Sequence, residues 1–316
     1  MNNIILCGVG GNLGSKTAEI LLKKYPHDHL IFTSPLAERL EKYAALGVDT
    51  RVADFNKAES LSDVFKDVDV MILISMPFVG QKRREAHKNA LDAAVKARVK
   101  KIVYTSVVGA GHKDIDAYEV NDHVWFEKYI QSQPIHYLLM RNSQYAEAMI
   151  NGYLFAHENG TNTIANNMGD GKMALISRKD CAKAAAYAAM SDWEDRVVNV
   201  NGAQLLTTSE FVEIGNSVTG YEVRHESITD EENYRMLDEL GVPRTTEGTW
   251  EGDAQKFPYC GDGMVTFGRA IRKNQMAVHT DEFHQLTGDE PITLKEMFEN
   301  IDDYMDQGRN SVDTYK

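Results

Sequence analysis

Two clusters in this 316-residue chain have the residue types and spacing for proton and hydride chemistry. His123 and Glu127 are four residues apart, so a helix through them carries both on one face. A histidine there would donate a proton near neutral pH or hold a substrate or ribose oxygen. The alternative is an imidazole bonded only to backbone or solvent. The second cluster, Arg141-Asn142-Ser143-Gln144-Tyr145, follows the apolar run Ile135 to Met140. Polar groups straight after an apolar strand suit the wall of a site, and Asn142 and Tyr145 join His123 as candidate catalytic residues. The pair Tyr-x-x-x-Lys, whose lysine lowers the tyrosine pKa for proton donation, is missing from residues 118–127. No Ser-His-Asp order or nucleophile elbow is visible, which argues against hydrolysis.

Hydride chemistry calls for a cofactor, and the first fourteen residues supply a cradle for one. Asn3 to Cys7 is apolar and of strand length, and Gly8-Val9-Gly10-Gly11-Asn12-Leu13-Gly14 follows at once. Thr17, Ile20, Leu21 and Leu22 then recur at helical spacing. A strand, a glycine turn and a helix start let backbone approach a pyrophosphate, which the free N–H groups and helix dipole hold. Gly8, Gly10, Gly11, Asn12, Leu13 and Gly14 are therefore candidate cofactor residues.

Ligands of open α/β sheets bind at the carboxyl ends of the strands, so those ends hold the other candidates. An acid about twenty residues past the motif would select the ribose hydroxyls of NAD, and a basic group the 2′-phosphate of NADP. Ser34 occupies that place and is neither; Arg39 and Lys42 beyond it would reach a phosphate or form a solvated helix face. Asp54, followed by Phe55, would accept from the adenine amine or cap a turn. Ser75-Met76-Pro77 would run past the middle of the cofactor, with Ser106 and Arg141 at the next two strand ends. The choice between NADH and NADPH stays open.

The elements that must position these groups alternate. Strands are predicted at 29–33, 51–53, 70–74, 101–106 and 135–140, with helices after 36, around Leu61-Val64-Phe65, and through Ala86, Ala90, Ala94 and Ala97. Asp180 to Ala189 is a further helix, Val197 to Val200 one more strand of the same sheet, and Thr207-Thr208-Ser209-Glu210 opens a helix with a hydroxyl placed to cap it. Short helices are predicted from 231 to 240 and 293 to 304, around a glycine-containing stretch at 248–263. The pattern is an α/β fold: a Rossmann-type doubly wound parallel sheet with a smaller α-rich C-terminal substrate lobe. The boundaries are 1–205 for the nucleotide-binding domain and 206–316 for the lobe, part of 145–178 joining the substrate side.

A net charge of −13 with no basic stripe argues against nucleic acid or an anionic membrane as main partner. Cys7, Cys181 and Cys260 are far apart, with no metal-ligand spacing and no disulfide framework, so no metal site is expected. Reduced thiols, no basic leader and no apolar stretch of spanning length predict a cytoplasmic protein, monomer or homodimer. Tyr104, Trp125 and Tyr145 offer aromatic surface to a flat substrate or fill the core.

The ordered set of motifs resembles the NmrA-like group of atypical short-chain dehydrogenases. It is most similar to the bacterial NAD(P)H:quinone oxidoreductase and triphenylmethane reductase branch, and more distantly to isoflavone and pinoresinol reductases. The residues that carry the resemblance span nearly the whole chain. They are the Gly8–Gly14 turn, Gly47-Val48 before Asp54-Phe55, Lys101 to Ser106, His123 with Glu127 and Arg141-Asn142 with Tyr145. Ser177 to Asp180, and Leu286-Thr287-Gly288 before Pro291, complete the set. The resemblance implies NAD(P)H in a cleft between the sheet and the lobe, with His123 where the usual lysine stands. It also implies a small aromatic, electron-poor hydride acceptor such as a quinone, a dye or a plant phenolic. Many relatives carry an arginine where this chain has Thr33-Ser34-Pro35. NmrA itself implies the alternative, a dinucleotide-sensing regulator without turnover.

Overall fold

A run of apolar residues without alternation can pair only as a strand covered on both faces. β1 (Ile4–Cys7) and β4 (Val70–Leu73) are such strands, every residue of each being buried. The computed structural model describes residues 1–76, 79–245, 257 and 259–305. From β1 the chain passes through α1 (Asn12–Lys24), β2 (Leu30–Ser34), α2 (Glu41–Ala44) and β3 (Asp49–Val52) to β4. It continues through α3 (Gln81–Lys96), β5 (Lys101–Val107), α4 (Tyr118–Gln131) and β6 (His136–Asn142). After α5 (Ala146–Glu158), β7 (Thr163–Asn166) and α6 (Arg178–Met190), β8 (Arg196–Val200) closes the main sheet.

Among the described residues that sheet has seven strands in the order β3-β2-β1-β4-β5-β6-β8. Every neighbouring pair is parallel. The Rossmann-type α/β expectation is met, and the strand order reverses between β1 and β4, where such sheets open their ligand crevice. One core cluster packs α1 and α6 on one face, and another packs α3 and α4 on the opposite face. In α6, Ala182, Ala184, Ala185, Ala186, Ala188 and Ala189 are all buried. Their small side chains let this helix lie close to the sheet and α1; a larger residue would overpack at a cost of about 1–3 kcal/mol.

The remaining elements are α7 (Thr208–Thr219), β9 (Arg224–Ser227), α8 (Asp230–Glu239), α9 (Gly261–Arg272), α10 (Glu282–Thr287) and α11 (Leu294–Glu299). β9 pairs in parallel with β7, and a third core cluster joins α5, α7, α9 and α11 beside the sheet. Of the hydroxyls at 207–209, that of Thr207 caps α7, in a reciprocal box with Glu210 that contributes about 1 kcal/mol.

The structure corrects several expectations. The segment around Leu61-Val64-Phe65 forms only a 3-10 turn (Ala58–Leu61) whose apolar side chains plug the core without a continuing helix. The predicted helix after Leu36 is broken into a 3-10 turn (Ala37–Arg39) and the single turn α2. Arg141 and Asn142 are the last two residues of β6 rather than a loop after it, because they pair with Ser106 and Val107. α5, β7 and β9 were not expected. Pro77 and most of 248–263 lie outside the described residues.

Candidate cofactor and substrate site

The turn after β1 needs its glycines for two separate reasons. Gly8 takes a φ of +98°, a region that side-chain-bearing residues avoid. Gly14, in the first turn of α1, sits so close to the turn that a Cβ would lie 2.0 Å from the Gly8 carbonyl oxygen. Gly8 and Val9 donate their N–H groups to the Thr33 carbonyl, both at 3.1 Å, which ties the turn to β2. Gly11 precedes α1 with no side-chain cap and no acid in the first turn, so the helix start is set up for an anion. A diphosphate fits these donors, with Asn12 and Leu13 beginning the helix that receives it.

Arg39 lies across this turn: its Nη1 donates to the Gly10 carbonyl at 3.3 Å, and a Cβ on Gly10 would meet its Cδ at 2.6 Å. Ser34 is buried and its hydroxyl accepts the Leu36 N–H at 3.1 Å, closing the bend after β2. Asp54 accepts from the Asn56 N–H at 3.0 Å and pairs with Lys57 at 3.1 Å, which realises the turn-cap alternative. Phe55 packs half-buried on the α3–α4 core, and its carbonyl accepts from Asn89.

Beyond β4 the backbone is pinned from three elements. Ser75 N–H donates to Thr105 Oγ1 at 2.8 Å, Met76 N–H to His87 Nε2 at 3.0 Å, and Gly80 N–H to Asp122 at 2.6 Å. Ser106 at the end of β5 donates to Glu127 at 2.6 Å. Glu127 also accepts two bonds from Arg141, at 3.0 and 2.6 Å, so one carboxylate ties together Ser106 and Arg141, which are register partners on β5 and β6. The buried bidentate pair holds Arg141 rigidly, with its Nη1 against Gly111.

His123 departs from the sequence expectation. Its Nε2 meets Arg83 Nη2 at 2.6 Å and its Nδ1 meets the Tyr104 hydroxyl at 2.8 Å. A guanidinium can only donate, so Nε2 accepts and the single ring proton sits on Nδ1, facing the Tyr104 oxygen. Burial first, then the charge of Arg83, holds the His123 pKa well below the usual histidine value. As placed, both ring nitrogens are committed to side chains. Arg83, His87 and Thr105 are the site residues that sequence reasoning missed, and nothing in their spacing marks them; Tyr104, offered as aromatic surface, acts here through its hydroxyl.

Asn142 is the other departure. Its side chain is buried, and neither its amide nitrogen nor its carbonyl oxygen makes a hydrogen bond of normal length and angle, the Tyr145 hydroxyl being close enough only for a weak one. The Ser143 hydroxyl and the Gln144 amide oxygen beside it are also buried and unpaired. Each such atom costs about 1–3 kcal/mol when left unsatisfied, and four lie together at the carboxyl end of β6. Tyr145, next in line, begins α5 with the Arg178 guanidinium 4.6 Å from its ring centroid. Burial pushes its hydroxyl up to about 12, so it stays protonated at neutral pH. The glycine cradle and these groups together fit two parts of a dinucleotide, the central diphosphate at β1 and a polar ring substituent at β6.

A profile of the NAD(P)H-binding family matches residues 8–192, more than half the chain. The chain belongs to that family. Quinone oxidoreductase 2 of Escherichia coli is 29% identical over 241 residues, covering 76% of this chain and 82% of that protein. The crystal structure of an NADPH-dependent quinone oxidoreductase from the same organism, complexed with NADPH, superposes with a TM-score of 0.84 at 25% identity. That match covers 94% of this chain and 99% of the other. The triphenylmethane reductase of a Citrobacter species gives 0.81 at 28% identity, over 94% of this chain and 98% of its own. These likenesses agree with the NmrA-like resemblance. Among the described residues, no helix is long and apolar enough to cross a membrane, and no group of side chains is arranged to hold a metal.

Proposed function

We propose that this NAD(P)H-dependent oxidoreductase passes hydride to a flat, electron-poor aromatic acceptor, a quinone before a dye or a plant phenolic. The observation that carries the reading is the unpaired Asn142–Ser143–Gln144 cluster, on the same sheet edge as the Gly8–Gly14 cradle. A buried amide with no well-formed hydrogen bond at either end is held there at a cost in stability, which a bound polar ring substituent would recover.

Bound NAD(P)H supplies the hydride; the chain supplies binding, orientation and polarity. Gly8 to Gly14 and the start of α1 would hold the diphosphate. Arg39, lying over Gly10, supports NADPH as the preferred form, since its guanidinium is within reach of a 2′-phosphate beside that turn. Asn142 and Ser143 would hold the carboxamide end, and the protonated Tyr145 hydroxyl would face the acceptor. The β7–β9 pairing supports dividing the chain into 1–205 and 206–316, with part of 145–178 on the substrate side. Three buried free cysteines fit a cytoplasmic setting.

The engagement of both His123 nitrogens favours a second reading, a dinucleotide-sensing regulator without turnover. A spectrophotometric screen of NADH and NADPH oxidation against quinones, cationic dyes and flavonoids separates the two. Steady oxidation with any acceptor establishes the reductase. Cofactor binding by calorimetry with no turnover across the panel establishes the sensor.

A further inference from the structure

We propose that Arg83 is a positioning residue of this site: its guanidinium fixes His123 as the neutral Nδ1–H tautomer and ties the start of α3 to α4 and β5. The inference rests on the reductase reading for its functional meaning, although the geometry stands by itself.

Arg83 is 4% exposed, and its Nε is buried without a partner, so its placement is maintained against a desolvation cost. What it gains is the 2.6 Å bond to His123 Nε2. The next residue repeats the connection: Arg84 pairs with Asp122, the neighbour of His123 on α4. Asp122 in turn accepts the N–H of Gly80, the residue that precedes α3 with a φ of +100°. One turn further along α3, His87 receives the Met76 N–H. The first turn and a half of α3 is therefore cross-linked to α4, and through His87 and Gly80 it sets where the chain leaves β4. That exit lies beside the β1–β4 switch point, where the middle of a dinucleotide crosses the sheet.

The charged and titratable groups around His123 come from three elements. Arg83 and His87 face it from α3, and Tyr104 faces it from β5. Asp122 lies beside it on α4, Glu127 one turn on, and Glu119 one turn back, near Arg83. Of these, Arg83 alone is a permanent cation in contact with the ring, so it opposes protonation of His123 at every physiological pH. The family position expected to carry a proton donor is thereby converted into a fixed donor to Tyr104. A lysine in place of Arg83 would keep the charge and lose the planar fork.

The test uses the full chain labelled with ¹⁵N at histidine, the His123 signals being assigned by their loss in His123→Gln. In the wild type we expect a protonated Nδ1, an unprotonated Nε2, and no titration near neutral pH. Arg83→Met should raise the His123 pKa, moving its titration upward from the wild-type position, because the cation is removed while the burial stays. In the same variant kcat/KM for quinone reduction should acquire an ionisation at the same pH, and KM for the cofactor should rise several-fold. Arg83→Lys should restore the flat histidine profile. A wild-type His123 with a proton on Nε2, or one that titrates near neutrality, overturns the proposal even if Arg83→Met does not fold. So does an Arg83→Met spectrum that titrates like the wild type. An intact histidine signature in a protein that turns over no acceptor supports the Arg83 assignment and overturns the reductase reading alone.

Discussion

Gly14 faces Gly8 across the first turn of α1 so closely that a single methyl group on Gly14 would stand 2.0 Å from the Gly8 carbonyl oxygen. The helix cannot start where it does, aimed at the turn, with any other residue at position 14. Gly14→Ala should therefore abolish the rise in Tm that NADPH gives the wild type and lower the stability of the apo protein. A wild-type ligand-induced rise in Gly14→Ala would show that the turn is not the phosphate site.

Arg39 should decide between the two cofactors. A charge-assisted bond to a 2′-phosphate contributes about 1.5–3 kcal/mol, or roughly 10- to 150-fold in affinity. Arg39→Ala should weaken NADPH by that factor and leave NADH within about twofold. Equal losses for both cofactors would mean that Arg39 only supports the glycine turn through its bond to Gly10.

Asn142 should show opposite signs for stability and binding. Asn142→Leu removes two buried unpaired polar atoms at nearly constant volume, so the apo protein should gain about 1 kcal/mol or more. The same variant should lose most of its affinity for NAD(P)H. Chemical denaturation and calorimetry on one preparation check both halves. A variant that is less stable and binds normally would sink the assignment.

Asp230 provides a pH test away from the site. Burial alone would raise its carboxyl, but bonds from Arg272, Asn167 and Arg269 outweigh it and hold the pKa at about 2. The folded value lies below the unfolded one near 3.9, so the stabilisation is present above about pH 4 and lost as pH falls toward 2. Asp230→Asn should cost about 2 kcal/mol in urea melts from pH 5 to 7. The difference from wild type should shrink as the pH is lowered below about 4. A gap that stays constant down to the acid limit would show that packing, not charge, accounts for it.

Much of the fold was legible because strands buried on both faces leave an unmistakable signature. Val70 to Leu73 and Ile4 to Cys7 have no polar alternation, and such strands pair only in a parallel sheet under helices. Leu61-Val64-Phe65 misled for the same reason in reverse: three apolar residues at helical spacing fill the core equally well from a turn. Arg141 and Asn142 looked like loop because of their polarity, yet β6 runs on through them and pairs with the end of β5.

The sequence by itself determined the glycine turn after β1. The glycines act through backbone geometry, so their spacing carries the information and no distant residue has to be known. Tertiary structure alone decided what the polar side chains do. His123 looked available as an acid because Arg83, forty residues earlier, and Tyr104 on another element could not be foreseen as its partners. Asn142 stood out in the sequence as a candidate, but only the packed strand end shows that its amide is buried without a well-formed hydrogen bond. A side chain's protonation and free hydrogen-bonding capacity depend on what surrounds it within a few ångströms, and most of those neighbours are remote in sequence.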